Sequence, residues 1–164
     1  MAKDCSFDVV SDVDLQEMDN AINQTKKEII QRYDFKNSKA GITLNDQEIR
    51  LSAEDEYKIG AMLDMLRTKM VKRSVPLKCL QLGKIEPASG GSVRQTITIQ
   101  KGIHKDKAKE VTNYIKSLKL KVQSQFMEDQ VRVSGAKKDD LQNVMQALRE
   151  KDFGIDLQFI NFRS

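Results

Sequence analysis

The sequence repeats its own hydrophobic pattern at an offset of 82 residues, which is half of its length of 164. At this offset, residues 48–67 align with residues 130–149 without a gap. Six pairs of apolar residues then coincide: Ile49 with Val131, Leu51 with Val133, Ile59 with Leu141, Met62 with Val144, Leu63 with Met145, and Leu66 with Leu148. Self-similarity at a fixed period is typical of repeated structural units. We therefore interpret the chain as two copies of one unit.

Glycine and proline mark the boundary between the two copies. Residues 83–93 hold three of the eight glycines and one of the two prolines of the chain, and these residue types are typical of loops. The sequence therefore predicts a first unit at 1–82, a joining loop at 83–93 and a second unit at 94–164.

The spacing of apolar residues predicts the same order of elements in both units. In the first unit, strands are predicted at 7–11, 40–44, 48–52 and 74–82, with helices after the first and third strands. In the second unit, strands are predicted at 94–100, 119–126, 130–134 and 155–162, with helices in the same places. This order is that of the ferredoxin-like unit. The predicted fold class is α+β: two ferredoxin-like units, each a four-stranded antiparallel sheet with two helices on one face.

A sheet with helices on one face leaves its other face uncovered. Two such units can cover these faces against each other, or they can leave a grooved surface for a ligand. The residues alone leave both outcomes open.

The inventory of residues argues against catalysis, metal binding and a cofactor. The chain has one His and two isolated Cys, whereas structural zinc needs about four nitrogen or sulfur ligands. It contains neither a G-x-x-x-x-G-K-[ST] phosphate loop nor a G-x-G-x-x-G fingerprint. An acylphosphatase-like enzyme would need a phosphate-cradling loop after the first strand, but Asp12 and Asp14 would repel phosphate there. We therefore expect a protein that is not an enzyme and that holds no metal or cofactor.

The hydropathy pattern argues against a membrane protein. No apolar run approaches the ~20 residues that a transmembrane helix requires, and the first residues lack the apolar stretch of a signal peptide. We therefore expect a cytoplasmic protein without membrane partners.

The net charge of +4 is unevenly distributed along the chain. Residues 1–82 carry 13 basic and 14 acidic side chains, whereas residues 83–164 carry 15 and 10. The stretch 101–121 alone has seven Lys against two acidic residues. Such a basic stretch attracts phosphate and other anions without reading a base sequence. Alternatively, Lys105, Lys107, Lys109 and Lys116 form the ordinary solvated face of a helix.

Four residues of this stretch are candidate anion contacts. Lys119 and Lys121 alternate with Leu120 and Val122, so they share one face of the strand predicted at 119–126. Lys101 precedes a glycine, beside which a backbone can approach a phosphate closely, and His104 lies nearby. We therefore predict Lys101, His104, Lys119 and Lys121 as nucleotide-binding residues.

Two further clusters combine basic and aromatic residues. In R-Y-D-F-K at 32–36, Arg32 can bind a phosphate or a guanine edge, Tyr33 or Phe35 can stack on a base, and Lys36 adds charge. The closing F-I-N-F-R at 159–163 pairs aromatics with Arg163 in the same way. Arg32, Phe35, Lys36 and Arg163 are therefore candidate ligand contacts as well. The alternative is that these aromatics pack the helix end onto the core.

Five segments resemble the YajQ family of bacterial proteins. They are S-F-D-V-V-S-D-V-D-L-Q-E at 6–17, R-Y-D-F-K at 32–36, L-K-L-K-V-Q-S-Q at 118–125, D-D-L-Q-N-V-M at 139–145 and F-I-N-F-R at 159–163. The resemblance covers essentially the whole chain in order. It implies two ferredoxin-like domains that exchange their first strands, so that residues 7–11 would join the second sheet and residues 94–100 the first.

The resemblance also implies a function. Members of the family are regarded as nucleotide-binding proteins, with nucleoside triphosphates, RNA and cyclic di-GMP as suggested ligands. Some members resemble signalling effectors that act with transcription factors, and no catalytic mechanism is attached to the family. The expected function is therefore a non-enzymatic nucleotide-binding protein that binds a nucleoside triphosphate or cyclic di-GMP and acts through a protein partner such as a transcription factor. The alternative is an RNA-binding module of the ferredoxin-like type.

Overall fold

The computed structural model describes residues 4–164, which form eight strands and four α-helices. In chain order they are β1 (Cys5–Val10), α1 (Leu15–Gln31), β2 (Gly41–Asn45), β3 (Glu48–Ala53), α2 (Glu56–Lys72), β4 (Leu80–Pro87), β5 (Val93–Ile99), α3 (Lys105–Ser117), β6 (Val122–Met127), β7 (Gln130–Gly135), α4 (Lys138–Glu150) and β8 (Gln158–Arg163). No helix in this part of the chain combines the length and the apolar character needed to cross a membrane.

The strands form two antiparallel sheets of four strands each. Their spatial orders are β6-β7-β1-β8, here called the β1 sheet, and β2-β3-β5-β4, here called the β5 sheet. The first strand of each half therefore lies in the sheet of the other half, as the family resemblance implies. Together with the helices, this architecture confirms the predicted α+β fold class.

The strand exchange changes where the chain divides. One compact unit, the β1 unit, consists of the described residues up to Asp12 together with Lys101–Ser164; the other, the β5 unit, consists of Val13–Gln100. The boundaries predicted from the sequence, at 82 and 94, differ from these positions because a division into consecutive halves assigns each first strand to its own half.

The predicted joining loop at 83–93 is shorter in the structure, because β4 continues through Pro87. β4 is an edge strand whose register against β5 shifts between Leu82 and Ile85. A side chain on Gly83 would bring its Cβ within 2.6 Å of the Thr96 carbonyl oxygen. Glycine within a strand is typical of a bulge or of a close approach of another backbone, and proline is tolerated on the edge strand of a sheet. Here these residues mark an irregular edge strand rather than a loop.

A pair of glycine substitutions tests this assignment. We expect Gly83→Ala to destabilise the protein by about 1–3 kcal/mol, since the added methyl group forces a backbone shift. Gly60→Ala is the control, because a Cβ at this exposed position in α2 meets nothing within 4 Å. It should stabilise the protein by about 0.5–1 kcal/mol through its helix propensity. Urea unfolding measures both; equal effects of the two changes would contradict the bulge.

Each sheet has its two helices on one face and an apolar core between them. In the β5 unit, the core joins the buried faces of α1 and α2 to Ile49, Leu51 and Ile97. Asp14 caps the N-terminus of α1, because its side chain accepts hydrogen bonds from the backbone N–H groups of Gln16 and Glu17 at 3.0 and 3.2 Å.

The core of the β1 unit lies between the β1 sheet and helices α3 and α4. It contains Phe7 and Val9 of the exchanged strand β1, which contact Val131 and Val133 of β7 in register. Because these four side chains share one face, the alternating residues of the same strands lie on the opposite face. That opposite face, called here the open face of the β1 sheet, is covered by neither helix of its own unit.

Candidate functional site

The open face of the β1 sheet is polar and is centred on a buried carboxylate. Asp8 lies in the middle of β1 and is fully buried. The Nε of Arg132 donates to Asp8 Oδ1 at 2.9 Å, and the Nδ2 of Asn161 donates to Asp8 Oδ2 at 2.9 Å. Arg163 Nη2 lies 3.5 Å from the same Oδ2. One carboxylate thus holds two arginines and an amide from three different positions of the sheet.

The register of the strands explains why these side chains converge. Arg132 lies directly opposite Asp8 on β7, and Arg163 lies opposite Ser6 on β8. The pairing of β1 with β8 shifts between Ser6 and Asp8, where Asn161 adopts a φ of 58°. Such an irregularity re-aims a side chain, and here Asn161 turns to Asp8.

The surroundings of Asp8 keep it ionised. Burial raises the pKa of its carboxyl, but the hydrogen bonds from Arg132 and Asn161 and the charges of Arg132 and Arg163 outweigh burial, so that its pKa lies below the usual value. The two arginine side chains remain 34% and 46% exposed. A charged, buried anchor therefore orients two guanidinium groups that solvent can still reach.

The equivalent face of the β5 sheet has a different chemistry. Arg50 precedes Arg132 by 82 residues, but its partner in register on β5 is Thr96 and not an acid. Arg50 instead lies 3.4 Å from the exposed Glu48 on its own strand, and Arg94 lies 3.7 Å from Glu86. The buried carboxylate therefore distinguishes the open face of the β1 sheet from its counterpart.

The predicted basic residues of the second half lie at two ends of the β1 unit. Lys101 lies beside Gly102, whose N–H donates to Ser11 O at 2.6 Å. The Nζ of Lys101 is 3.7 Å from Asp12 Oδ1. His104 is exposed at the N-terminus of α3. Since Ile103 N–H donates to Asp129 O at 2.8 Å, this segment lies at the β6–β7 turn.

Lys119, Lys121 and Arg163 lie away from that turn. The prediction that Lys119 and Lys121 share a strand is corrected, because β6 begins at Val122 and Lys119 has a φ of 56° after the end of α3. Lys121 precedes Val122, which pairs with Gly135 at the end of the sheet where Cys5 also pairs. Arg163 pairs with Ser6 at this same end. With a rise of about 3.3 Å per residue, the length of β7 separates this end from the turn by roughly 17 Å.

The R-Y-D-F-K segment belongs to the β5 unit and is occupied by its own contacts. Arg32 donates to Asp34 through Nε at 3.0 Å and Nη2 at 2.7 Å, and its guanidinium lies 5.5 Å from the Phe35 ring centre. Phe35 is only 5% exposed. Phe35 therefore packs the helix end onto the core, which is the alternative that the sequence left open. Lys36 is exposed, and Tyr33, at 87% exposure, presents the free aromatic face.

Sequence reasoning missed Asp8, Arg132 and Asn161. The available signal was a charged residue inside an apolar strand, Phe7-Asp8-Val9, and a basic residue inside Val131-Arg132-Val133. The pattern assigns both residues to the polar face of a strand. It does not show that they face each other, because that depends on the exchange of β1 into the second sheet.

A cavity of about 340 Å³ lies beside the Gly90–Gly91 turn of the β5 unit. Glu54 lines it and accepts hydrogen bonds from the Lys39 backbone N–H, from Ser38 Oγ at 2.8 Å and from Lys58 Nζ at 3.2 Å. These interactions, that of the Lys39 N–H first, lower the pKa of Glu54 to about 2. A carboxylate that is ionised at neutral pH makes this cavity unfavourable for a phosphate.

The titration of Glu54 is directly testable. Because its pKa is lower in the folded than in the unfolded chain, its contribution to stability is complete above about pH 4.3 and is lost as the pH falls through about 2. Carbon-detected NMR should show the Glu54 carboxyl titrating near pH 2. Ser38→Ala should raise this pKa, whereas Ser89→Ala, a lining residue without a bond to Glu54, should not. A titration midpoint near pH 4 in the unmodified protein would show that these hydrogen bonds do not hold the Glu54 carboxylate.

Metal coordination finds no support among residues 4–164, because no three His, Cys, Asp or Glu side chains converge there as ligands would. The fold itself defines a class: proteins built from two ferredoxin-like units with exchanged first strands. The chain belongs to the YajQ family, since the family model described as "Nucleotide-binding protein YajQ-like" matches residues 5–163.

Curated relatives agree with this membership over almost their whole lengths. A protein named "Nucleotide-binding protein" from Geotalea uraniireducens (strain Rf4) is 58% identical over 158 residues, covering 96% of this chain and 98% of that protein. One of the same name from Carboxydothermus hydrogenoformans is 56% identical over 165 residues, with coverage of 99% and 100%. One from Desulfitobacterium hafniense is 53% identical over 163 residues, with the same coverage.

Proposed function

We propose that this chain binds a nucleotide, either a nucleoside triphosphate or cyclic di-GMP, at the open face of the β1 sheet and without catalysing a reaction. The observation that carries the proposal is the pair of half-exposed arginines held by the buried Asp8. Arg132 uses its Nε for Asp8, and neither of its terminal nitrogens has a hydrogen-bond partner among residues 4–164. This free edge of the guanidinium fits two phosphate oxygens, and its plane can stack on a base.

The neighbours of Arg132 suit the rest of a nucleotide. Gln125 lies directly opposite Arg132 on β6, and Gln123 lies opposite Ser134. Their exposed amides offer both donors and acceptors to the edge of a base. Lys121 and Arg163, at the end of the same sheet, add positive charge that attracts the phosphates.

The remaining candidates take secondary roles in this proposal. Lys119 adds to the positive charge beyond the end of α3. Lys101 and His104 form a separate basic point at the β6–β7 turn, where Asp12 already accompanies Lys101. Arg32 and Lys36 belong to the β5 unit, and Arg32 is already held by Asp34.

The residues of the open face support binding rather than catalysis. Ser6 and Ser134 are the hydroxyl side chains nearest Asp8 in register, but Asp8 is engaged by two arginines and has a lowered pKa. A general base works best with a pKa near the working pH. His104, the one histidine of the chain, lies near the β6–β7 turn, at the other end of the sheet from Lys121 and Arg163.

The proposed role is that of a cytoplasmic signalling effector, in which the bound nucleotide controls contact with a protein partner such as a transcription factor. The names of the relatives support nucleotide binding, and the family resemblance of the sequence supports the effector role. Isothermal titration with ATP, GTP and cyclic di-GMP tests the proposal. Saturable heat with at least one ligand is expected; no heat with any of them at millimolar concentration would refute it.

RNA binding is the alternative function, favoured by the exposed Tyr33 beside Lys36. It predicts an affinity that falls steeply as salt is raised, because phosphate contacts release counterions. A gel-shift titration of single-stranded RNA at 50 and 200 mM salt measures this fall. Loss of the shift in Tyr33→Ala, with mononucleotide binding unchanged, would favour RNA over the open-face site.

A further inference from the structure

A small apolar cavity of about 160 Å³ lies between helix α4 and strand β8. Leu141 and Met145 of α4 line one side, and Phe162 of β8 and Cys5 of β1 line the other. Phe162 as a whole is 63% exposed, and its ring stacks on Phe7 with ring centres 6.1 Å apart. Phe7 therefore holds the Phe162 ring in place, while much of the Phe162 ring stays accessible to solvent.

The mouth of this cavity is positively charged. Of the described side chains that line it, the charged ones are Lys138 and Arg163, and both are basic. Lys138 begins α4 and stands on the same stripe as Leu141 and Met145, at helical spacings of three and seven residues. The cavity therefore combines an apolar floor with a cationic rim.

The cavity adjoins a free sheet edge. β8 is the outermost strand of the β1 sheet, with β1 on its inner side. Outside the sheet, no backbone hydrogen bond within residues 4–164 reaches Gln158–Arg163, and Ile160, Asn161, Phe162 and Arg163 are exposed. Unpaired N–H and C=O groups along such an edge can bond to an added strand. The edge strand β4 of the other sheet differs in that it ends at Pro87, which has no N–H to donate to an added strand.

We propose that the groove between α4 and β8 binds an extended acidic peptide of a partner protein, which adds as a short strand beside β8. An engineered cavity of about 150 Å³ in another protein holds one benzene, so that this one fits a single Phe- or Leu-sized anchor. The cationic rim selects a carboxylate next to that anchor. Because β8 is irregular at Asn161, the added strand makes few main-chain bonds and binds weakly.

This inference deepens the proposed role as an effector that acts through a protein partner, and it rests on that role. The groove and the proposed nucleotide site use different residues, apart from Arg163. Their tests can therefore fail separately. Arg132→Ala should weaken nucleotide binding and leave peptide binding unchanged, whereas Met145→Glu should do the reverse.

The test measures fluorescence anisotropy of the full chain with the labelled peptide Glu-Val-Phe-Val-Glu. Saturable binding at micromolar to submillimolar concentration is expected. A peptide with Ala in place of the Phe should bind at least about tenfold more weakly, because it loses the burial of the ring. N-methylation of the two amides that face β8 should abolish binding, whereas N-methylation of the other amides should not.

Two variants and a matched control locate the peptide. Met145→Glu puts a negative charge on the apolar floor of the cavity, and Lys138→Glu reverses the charge at its rim. Each should weaken peptide binding at least about tenfold. Asn143→Glu, on the far side of the same helix, should leave it unchanged. Chemical-shift perturbation confined to β8 and α4 should report the same site in the unmodified protein.

Three outcomes would overturn the inference. One is no anisotropy change at 1 mM protein. Another is equal affinity for the fully N-methylated peptide or for 3-phenylpropanoate, which would show a pocket for small acids without strand addition. The third is self-association in sedimentation equilibrium that Met145→Glu abolishes, which would make a second copy of this chain the occupant.

Discussion

Asp8→Ala is expected to lower the free energy of unfolding by about 2–4 kcal/mol at pH 7, since it removes charge-assisted hydrogen bonds at a fully buried position. The variant loses the acceptor of Arg132 Nε and Asn161 Nδ2 at 2.9 Å each. The loss stays below that of a fully buried ion pair because both arginines can turn to solvent. Urea unfolding followed by circular dichroism measures the difference.

The effect of Asp8→Ala should depend on pH in a defined direction. The pKa of Asp8 is lower in the folded than in the unfolded chain, so its contribution is complete above about pH 4 and is lost as the pH falls through the folded pKa. The difference between the two proteins should therefore shrink below pH 4. A difference that is the same at pH 7 and pH 3 would show that packing, and not the charge, explains it.

Thr96→Ala is the matched control for Asp8→Ala. Thr96 occupies the equivalent position opposite Arg50 in the β5 sheet, where the register places no buried carboxylate. Its replacement should cost less than about 1 kcal/mol. An equal loss in both variants would contradict the special role of Asp8.

Arg132→Ala is expected to weaken nucleotide binding by about tenfold to a hundredfold, the effect of losing one charge-assisted contact. Arg163→Ala should have a smaller effect in the same direction, because Arg163 stands farther from Asp8 at 3.5 Å. Arg132→Lys keeps the charge but loses the two-pronged geometry, and so it should restore only part of the affinity. Isothermal titration at constant salt gives the dissociation constants.

Arg50→Ala controls for a general loss of positive charge. Arg50 is the counterpart of Arg132 in the other unit and is exposed near Glu48. We expect unchanged nucleotide affinity in this variant. Equal weakening by Arg50→Ala and Arg132→Ala would place the ligand elsewhere or reduce it to unspecific attraction. Urea unfolding of each variant separates loss of binding from loss of folding.

The fold class was predictable because its signals are local in the sequence. The coincidence of Ile49 and Leu51 with Val131 and Val133 follows from the period of a strand with one buried face, and all four side chains are buried. Asp14 caps α1, and Asp is one of the residue types that favour this position. Predictions failed where residues have a role that depends on a neighbouring strand: Gly83 permits a close approach to Thr96, and Lys119 ends a helix.

The candidate site was only partly predictable. Arg163 is a candidate at both stages because a basic residue beside aromatics is visible in the sequence. Phe35 shows the same pattern, but its side chain lies in the core. Asp8 and Arg132 were missed because they are 124 residues apart. Their proximity is not encoded in either segment alone.

The sequence by itself determined the duplication, the order of strands and helices and the apolar faces of both cores, because each depends on the spacing of neighbouring residues along the chain. The spacing of residues left open which strands pair, and the tertiary structure decides it. By placing β1 between β7 and β8, it brings Asp8 to Arg132, Asn161 and Arg163. Hydrophobic periodicity selects the face of a strand that is buried, whereas the pairing partner is selected by packing of the whole sheet, which no local pattern records.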